Sequence, residues 1–405
     1  MGNLLGYALD HEHWAEAQAI AQPLNEYWEV RGRYVEAAEW ADRARIAVED
    51  PGGVPPALGS PAGSLWLFFA TAQATRQLYS GQLDRGERTH REILAMLQAQ
   101  PDSRFRQENL AVEYHLMGSA VLEQGRLGEA EDWYMRSAAL AEELGNQSRL
   151  AMCYHQLGRV AYERRRLDEA EGWYTRALAI EEEFGNRPGR ALTCGQLGIV
   201  AGTRGRLGEA EGWFARSMTI QEELGDRPGL ARTYHHLGIV AQDRGRLDEA
   251  EGCYTRSLAI REELGDRAGQ ADSYHQLGML AQNRGRLDEA EGWYTRSLAI
   301  REELDNRAGL ALAYSGLGSL AERRQDLTHA LEWAVRCVAL FDHVPHPGSG
   351  SGPRQMAWLA HRLGIQKLEQ TWQQVIGQPL PDAVRIYVNS HRPEDSETSE
   401  GDTRE

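Results

Sequence analysis

The stretch GRLDEAEGWYTR, Gly285–Arg296, decides the fold, because the chain writes it repeatedly. It stands at 245–256 as GRLDEAEGCYTR, at 205–216 as GRLGEAEGWFAR and at 165–176 as RRLDEAEGWYTR, each copy 40 residues from the next. Self-similarity at such a period marks stacked supersecondary units, none of which can bury its apolar face alone. Register holds without a gap from about Asn109 to Phe341. A small residue recurs at Ala130, Ala170, Ala210, Ala250, Ala290 and Ala330. So does the pair Leu157-Gly158, again at 197, 237, 277 and 317, with Met117-Gly118 in the first copy.

Each copy predicts two helices. Tyr154, Leu157, Val160 and Ala161 share one helix face, and Leu167, Ala170, Tyr174, Ala177 and Leu178 share another. RGR or RRR turns the chain between them, with Gly205, Gly245 and Gly285 supplying permissive backbone. After the second helix, Gly185, Gly225 and Gly265 read as stops, Asn186, Asp226 and Asp266 as caps of the next helix, and Pro188 and Pro228 as first-turn residues.

The pattern Tyr154-x-x-Leu157-Gly158-x-x-Ala161, then Ala170-x-x-x-Tyr174-x-x-Ala177, resembles the tetratricopeptide signature. Tyr or Cys stands in place of its Trp, Ala in place of its Tyr, and the late Pro is absent. The period is 40 rather than about 34, and the added residues are expected to lengthen the second helix and its exit loop. This long form resembles the repeats of kinesin light chains, of Gα-binding polarity adaptors and of the C-terminal arrays of bacterial signal-transducing NTPases and their regulators. The resemblance implies an all-α solenoid of helical hairpins, a right-handed superhelix whose first helices line a concave side.

Residues 106–341 are read as six regular repeats. Residues 1–105 carry the same phase in degraded form: Gly32, Tyr34, Ala37 and Ala44 match the spacing of Gly245, Leu247, Ala250 and Ser257. They are read as two divergent repeats separated by the loop PGGVPPALGSPAGS at 51–64. The Gly/Pro/Ser-rich stretch 342–354 reads as a linker, 355–389 as a C-terminal helical cap, and 390–405 as a disordered acidic tail.

Composition excludes several functions. No apolar run is long enough to span a membrane. The opening MGNLLGYALDHEHWAEA has no basic stretch ahead of its apolar residues, so no secretory signal is expected. Cys153, Cys194, Cys253 and Cys337 form neither a CxxC pair nor a disulfide framework, which points to a reducing, cytoplasmic setting. Lys367, the only lysine, lies outside any phosphate loop, and a net charge of −16 disfavours a nucleic-acid partner. The sequence has no nucleophile elbow, HExxH or post-strand GxGxxG. Neither enzymatic activity nor a cofactor is expected.

By the same resemblance, partner contacts belong to the first helices. One column holds His115, His155, Gly195, His235, His275 and Ser315; beside it run Gln156, Gln196, His236 and Gln276. Further along come Tyr162, Gln242 and Gln282, then Asp243 and Asn283. Such amides and imidazoles can satisfy the backbone of an extended peptide; equally, the histidines can bridge neighbouring helices. A metal is not expected, because packed helices lie about 8–10 Å apart and zinc needs nitrogens at about 2.1 Å. Free imidazoles titrate at about pH 6.5, so binding is expected to change between about pH 5.5 and 7.5. The repeated acids of EEEF, QEEL and REEL read as a solvated face, and the Trp133, Trp173, Trp213, Trp293, Trp333 column as inter-repeat packing or a second contact surface. The function expected is a scaffold for a protein or peptide partner. The alternative is a sensor or regulatory arm of a bacterial signalling NTPase or transcription-regulator system. Oligomeric state is left open.

Overall fold

Short connectors and strong caps turn the periodic segments into helices. The computed structural model describes residues 2–391. Ahead of the regular repeats lie α1 (Gly2–Asp10), α2 (Trp14–Val30), α3 (Tyr34–Val48), α4 (Pro61–Tyr79) and α5 (Leu83–Gln98). The repeats begin with α6 (Arg104–Glu123), α7 (Leu127–Glu143), α8 (Gln147–Glu163), α9 (Leu167–Glu183) and α10 (Arg187–Thr203). These ten helices make one compact unit ending at Arg204, and a second begins at Gly205. The second holds α11 (Leu207–Leu224), α12 (Arg227–Asp243), α13 (Leu247–Leu264), α14 (Arg267–Asn283), α15 (Leu287–Glu303), α16 (Arg307–Arg323) and α17 (Leu327–Ala339). It closes with α18 (Gly352–Leu363), α19 (Ile365–Ile376) and α20 (Asp382–Ser390). No strand occurs among the described residues. The tail expected to be disordered lies outside them from residue 392 on.

Capping follows the sequence reading. The side chains of Asn186, Asp226 and Asp266 accept the N–H groups of Gly189, Gly229 and Gly269 at 3.1, 2.9 and 2.9 Å. Gly225 and Gly265 end their helices in the left-handed conformation that glycine adopts without a Cβ penalty. The turn inside the hairpin needs the same geometry, which Gly245 meets at φ +72 and Arg165 must adopt at φ +60. One expectation changes: α8 and α9 are both 17 residues long. The long repeat therefore extends both helices, and its exit loop is as short as its inner turn.

The hairpins close around one aromatic ring each. Tyr134, Tyr174, Tyr254 and Tyr294 are fully buried, and so is the alanine column from Ala130 to Ala330. The glycine of the Leu-Gly pair makes room for that ring: a Cβ on Gly158 would stand 2.7 Å from Tyr174 Cε1, and one on Gly278 2.7 Å from Tyr294 Cε1. Ser257 and Ser297 tie the two layers by donating to the carbonyls of Ala231 and Ala271 at 2.8 Å. Trp133, Trp173, Trp293 and Trp333 lie against a tyrosine of the first helix and carry an arginine of their own: Trp293 stacks on Tyr274 at 5.6 Å and carries Arg296 at 4.9 Å. Trp293 also packs on the core around Tyr254 and Leu258, so inter-repeat packing accounts for the column.

The acids of the repeated stretch do not simply face water. Glu131 takes Arg166 of the following turn at 2.8 Å; Glu251 takes Arg284 and Arg286 at 2.8 and 3.0 Å; Asp288 and Glu291 both take Arg324 at 2.6 Å. Such solvent-facing pairs are individually weak, but the arrangement recurs from one hairpin to the next.

At the start, Leu5, Leu9, Ala21, Trp28 and Ala41 form a core with Phe69 of α4. At the end, Leu331, Val335 and Val338 of α17 are covered by Met356, Leu359, Leu368, Trp372, Val384 and Tyr387. The helical cap expected at 355–389 is three helices, the first two divided at Gly364 with φ +92, and its first helix starts inside the segment expected to be linker. A short 3-10 turn at Pro347–Ser349 leads into it.

Candidate functional site

The candidate residues fall into two groups, the histidines and the amides with their neighbours. The histidines stand against the buried tyrosines. His115, His155, His235 and His275 meet Tyr134, Tyr174, Tyr254 and Tyr294 at ring distances of 5.2, 5.3, 5.8 and 5.4 Å, mostly edge to face. His115 is buried, with Nδ1 3.7 Å from Cys153 Sγ, so it offers no surface. His155 Nδ1 lies 3.2 Å from Thr193 Oγ1 of the next repeat. His236 stacks face to face on Phe214 at 5.6 Å. His235 and His275 are half-buried, and each keeps an Nδ1 with no hydrogen-bond partner.

Burial sets the charge of this column. It pushes His115, His155, His236 and His275 down to about 4 and His235 down to about 3, because a desolvated imidazolium is costly. The titration expected between about pH 5.5 and 7.5 is therefore displaced to more acidic pH, and the column is neutral at physiological pH.

The second group ranges from buried to exposed. Gln156, Gln196 and Gln276 are half-buried, and Asp243 and Asn283 are exposed. Tyr162 shares a hydrogen bond with Thr203 at 3.1 Å. Gln242 accepts from the Tyr254 hydroxyl at 3.3 Å. Gln282 is buried; it accepts from the Tyr294 hydroxyl at 3.0 Å and donates to Ser319 at 2.9 Å.

In the second unit, His275, Gln282 and Asn283 of α14 come together around a cavity of about 320 Å³, completed by Met279, Tyr294 and, from α16, Leu312, Ser315, Gly316 and Ser319. None of these side chains is charged at neutral pH. Leu312, Gly316 and Ser319 were outside the sequence-derived set. Their signal was a departure from the repeat: Ser315 and Gly316 stand where earlier copies carry His and Gln. Among the described residues no three His, Cys, Asp or Glu side chains converge as a metal would require. No helix is long and apolar enough to cross a membrane.

A family model described as tetratricopeptide repeat matches residues 109–183, 189–263 and 269–342, more than half of the chain. The chain belongs to the tetratricopeptide repeat family. No curated protein matches it. Among solved structures, it is similar to a Rap protein complexed with Competence and Sporulation Factor, at 14% identity over 93% of this chain and 100% of that one, with a TM-score of 0.54. It is also similar to aspartyl phosphate phosphatase F from Bacillus subtilis, at 14% identity over 85% and 93%, with a TM-score of 0.56. A Signal Transduction ATPase with Numerous Domains from Pyrococcus horikoshii, with a tetratricopeptide repeat sensor, matches at 12% identity and a TM-score of 0.59, over 90% of this chain but 55% of that protein. At these identities the likeness is one of fold. A tetratricopeptide repeat scaffold is typical of protein–protein interaction.

Proposed function

We propose that this chain is an adaptor that receives a protein or peptide on the first-helix faces of its regular repeats. The observation that carries the reading is the uncharged cavity between α14 and α16. Its imidazole, amide and hydroxyl groups match the polar backbone of an extended segment, while Met279 and Leu312 accept an apolar side chain. His275 Nδ1, buried and without a partner, is a hydrogen-bonding group that a ligand could satisfy. In a chain of net charge −16, a cavity free of charge selects by shape and hydrogen bonding rather than by attraction.

The test places a charge in that cavity at positions where folding tolerates it. Leu312 is 50% exposed and Asn283 is exposed. Leu312→Arg with Asn283→Arg should abolish capture of the native partner while leaving the melting temperature within a few degrees. Asp248→Arg, on the repeated second helix, should leave capture intact. Undiminished capture by the double variant overturns the reading.

A second reading makes the array the sensor arm of a signalling NTPase. It is supported by the shared fold with the Pyrococcus horikoshii protein, whose repeats are described as a sensor. Co-purification of a nucleotide-binding protein, lost in the same double variant, would favour it over a free-standing adaptor.

A further inference from the structure

The clamps that close the regular repeats are missing where α3 meets α4 and α5. Between α13 and the next hairpin, Asp248 and Glu251 take Arg284 and Arg286, and Leu277 and Leu280 pack with Tyr254. In the same register near the start of the chain, Val35 and Ala38 stand for the two acids and Ser80 and Gln82 for the two arginines. Gln73 and Arg76 stand for the two leucines. All six line one cleft of about 470 Å³ between α3, α4 and the start of α5. We propose that this cleft binds a small zwitterion carrying an apolar side chain, the chemistry shared by a free α-amino acid and a dipeptide.

One part of the wall is apolar and open to solvent. Val35 is 76% exposed and Tyr79 is 80% exposed, and Tyr34 is exposed as well. Single exposed apolar residues are ordinary, but several gathered in a concave site mark a place for a ligand. The volume falls within the range of small-molecule sites, about 300–1,000 Å³.

The charged groups come from different helices and are particular to this seam. Glu39 and Asp42, one turn apart on α3, stand where a regular copy has Gly252 and Thr255. Arg85 of α5 stands where regular copies have Glu249 and Glu289. All three are exposed, and none makes a side-chain hydrogen bond or ion pair among the described residues. Arg76 is buried; it donates to Asn25 at 2.6 Å, its Nη2 has no partner, and Glu29 gives it a field without a bond. The acids disfavour a simple anion here, and the arginines disfavour a simple cation. A molecule bearing both charges satisfies the two sets together. Its ammonium meets Glu39 and Asp42, and its carboxylate meets the fork of Arg85, with the charge of Arg76 adding to the attraction. Its side chain covers Val35, Tyr34 and Tyr79. The cleft shares no residue with the α14–α16 cavity, so its test is independent of the adaptor reading.

Calorimetry on the full chain, titrated with free phenylalanine and with leucyl-phenylalanine, separates the two sources, and the tighter ligand names the one the cleft takes. N-acetylation removes the ammonium and C-terminal amidation the carboxylate; each should weaken binding at least about tenfold. Glycine and glycylglycine, which lack the apolar side chain, should bind at least about tenfold more weakly than their counterparts. Glu39→Gln with Asp42→Asn, and separately Arg85→Gln, alter exposed positions and should each cost about tenfold in affinity. Ala38→Glu with Gln82→Arg writes the regular clamp into the seam and should remove binding while the melting temperature is kept. No binding of either ligand, undiminished binding of the blocked forms, or full affinity in Arg85→Gln or in the clamp variant would each overturn the proposal.

Discussion

The first and second helices of the repeats have nearly the same length but answer to different constraints. α9, α13 and α15 spell almost the same words, and what they repeat is buried or clamped: Ala170, Ala250 and Ala290, Tyr174, Tyr254 and Tyr294, and acids bonded to the next turn's arginines. α8, α12, α14 and α16 share the Leu-Gly pair and little else on the opposite face, where His, Gln, Ser and Gly alternate. Those variable positions are the half-buried ones. A residue that must seat against an equivalent neighbour in every copy has few solutions. One whose neighbours change from copy to copy is free to differ, and such differences leave the cavity beside Ser315 and Gly316.

The largest effect should come from breaking the uniform side. Tyr174→Ala empties a sealed position and should cost about 3–5 kcal/mol, read as a fall in the urea midpoint. Asn283→Ala on the variable side should stay within about 0.5 kcal/mol. Comparable losses from the two would erase the distinction.

A smaller, pH-dependent effect is expected at Glu181. It is buried, with one oxygen lacking a partner, and burial pushes its carboxyl up to about 7. The folded state thus prefers the protonated form: stability is full below the ordinary carboxylate range and declines as pH rises through about 7. Gln221 fills the equivalent place in the next repeat and accepts from Thr233 at 2.8 Å. Glu181→Gln should therefore raise the melting temperature at about pH 8 and change it little at about pH 5. An equal shift at both would assign the gain to something other than the proton.

The smallest effect concerns the inner turn. Arg165 holds φ +60 where Gly125, Gly205, Gly245 and Gly285 stand in four other copies and Gln325 in the last, a conformation costing a residue with a Cβ about 1 kcal/mol. Arg165→Gly should stabilise the protein by about 0.5–1 kcal/mol in denaturant titration; a loss would mean the arginine's own contacts outweigh the strain.

The hairpins, their caps and the aromatic centre were legible because each rests on residues close in sequence or repeated at 40. The arginine clamps were not. Arg284 and Asp248 are separated by 36 residues, and nothing local signals that one turn folds back over the preceding helix. The histidines lie on the first helices, but their packing against Tyr134, Tyr174, Tyr254 and Tyr294 is a tertiary contact that periodicity does not specify. The break at Gly364 escaped because the helical pattern continues on both sides of it.

The helices α18–α20 have a consequence beyond covering a core. Without them the array would finish on Ala330, Leu331, Ala334, Val335 and Val338, an apolar side shaped to receive one more hairpin. A surface that accepts a further unit of its own kind, and presents the same surface again, has no intrinsic stopping point; copies could add head to tail into a filament. Three short helices occupy that side instead, burying Met356, Leu359, Leu368, Trp372 and Tyr387 where another hairpin would sit.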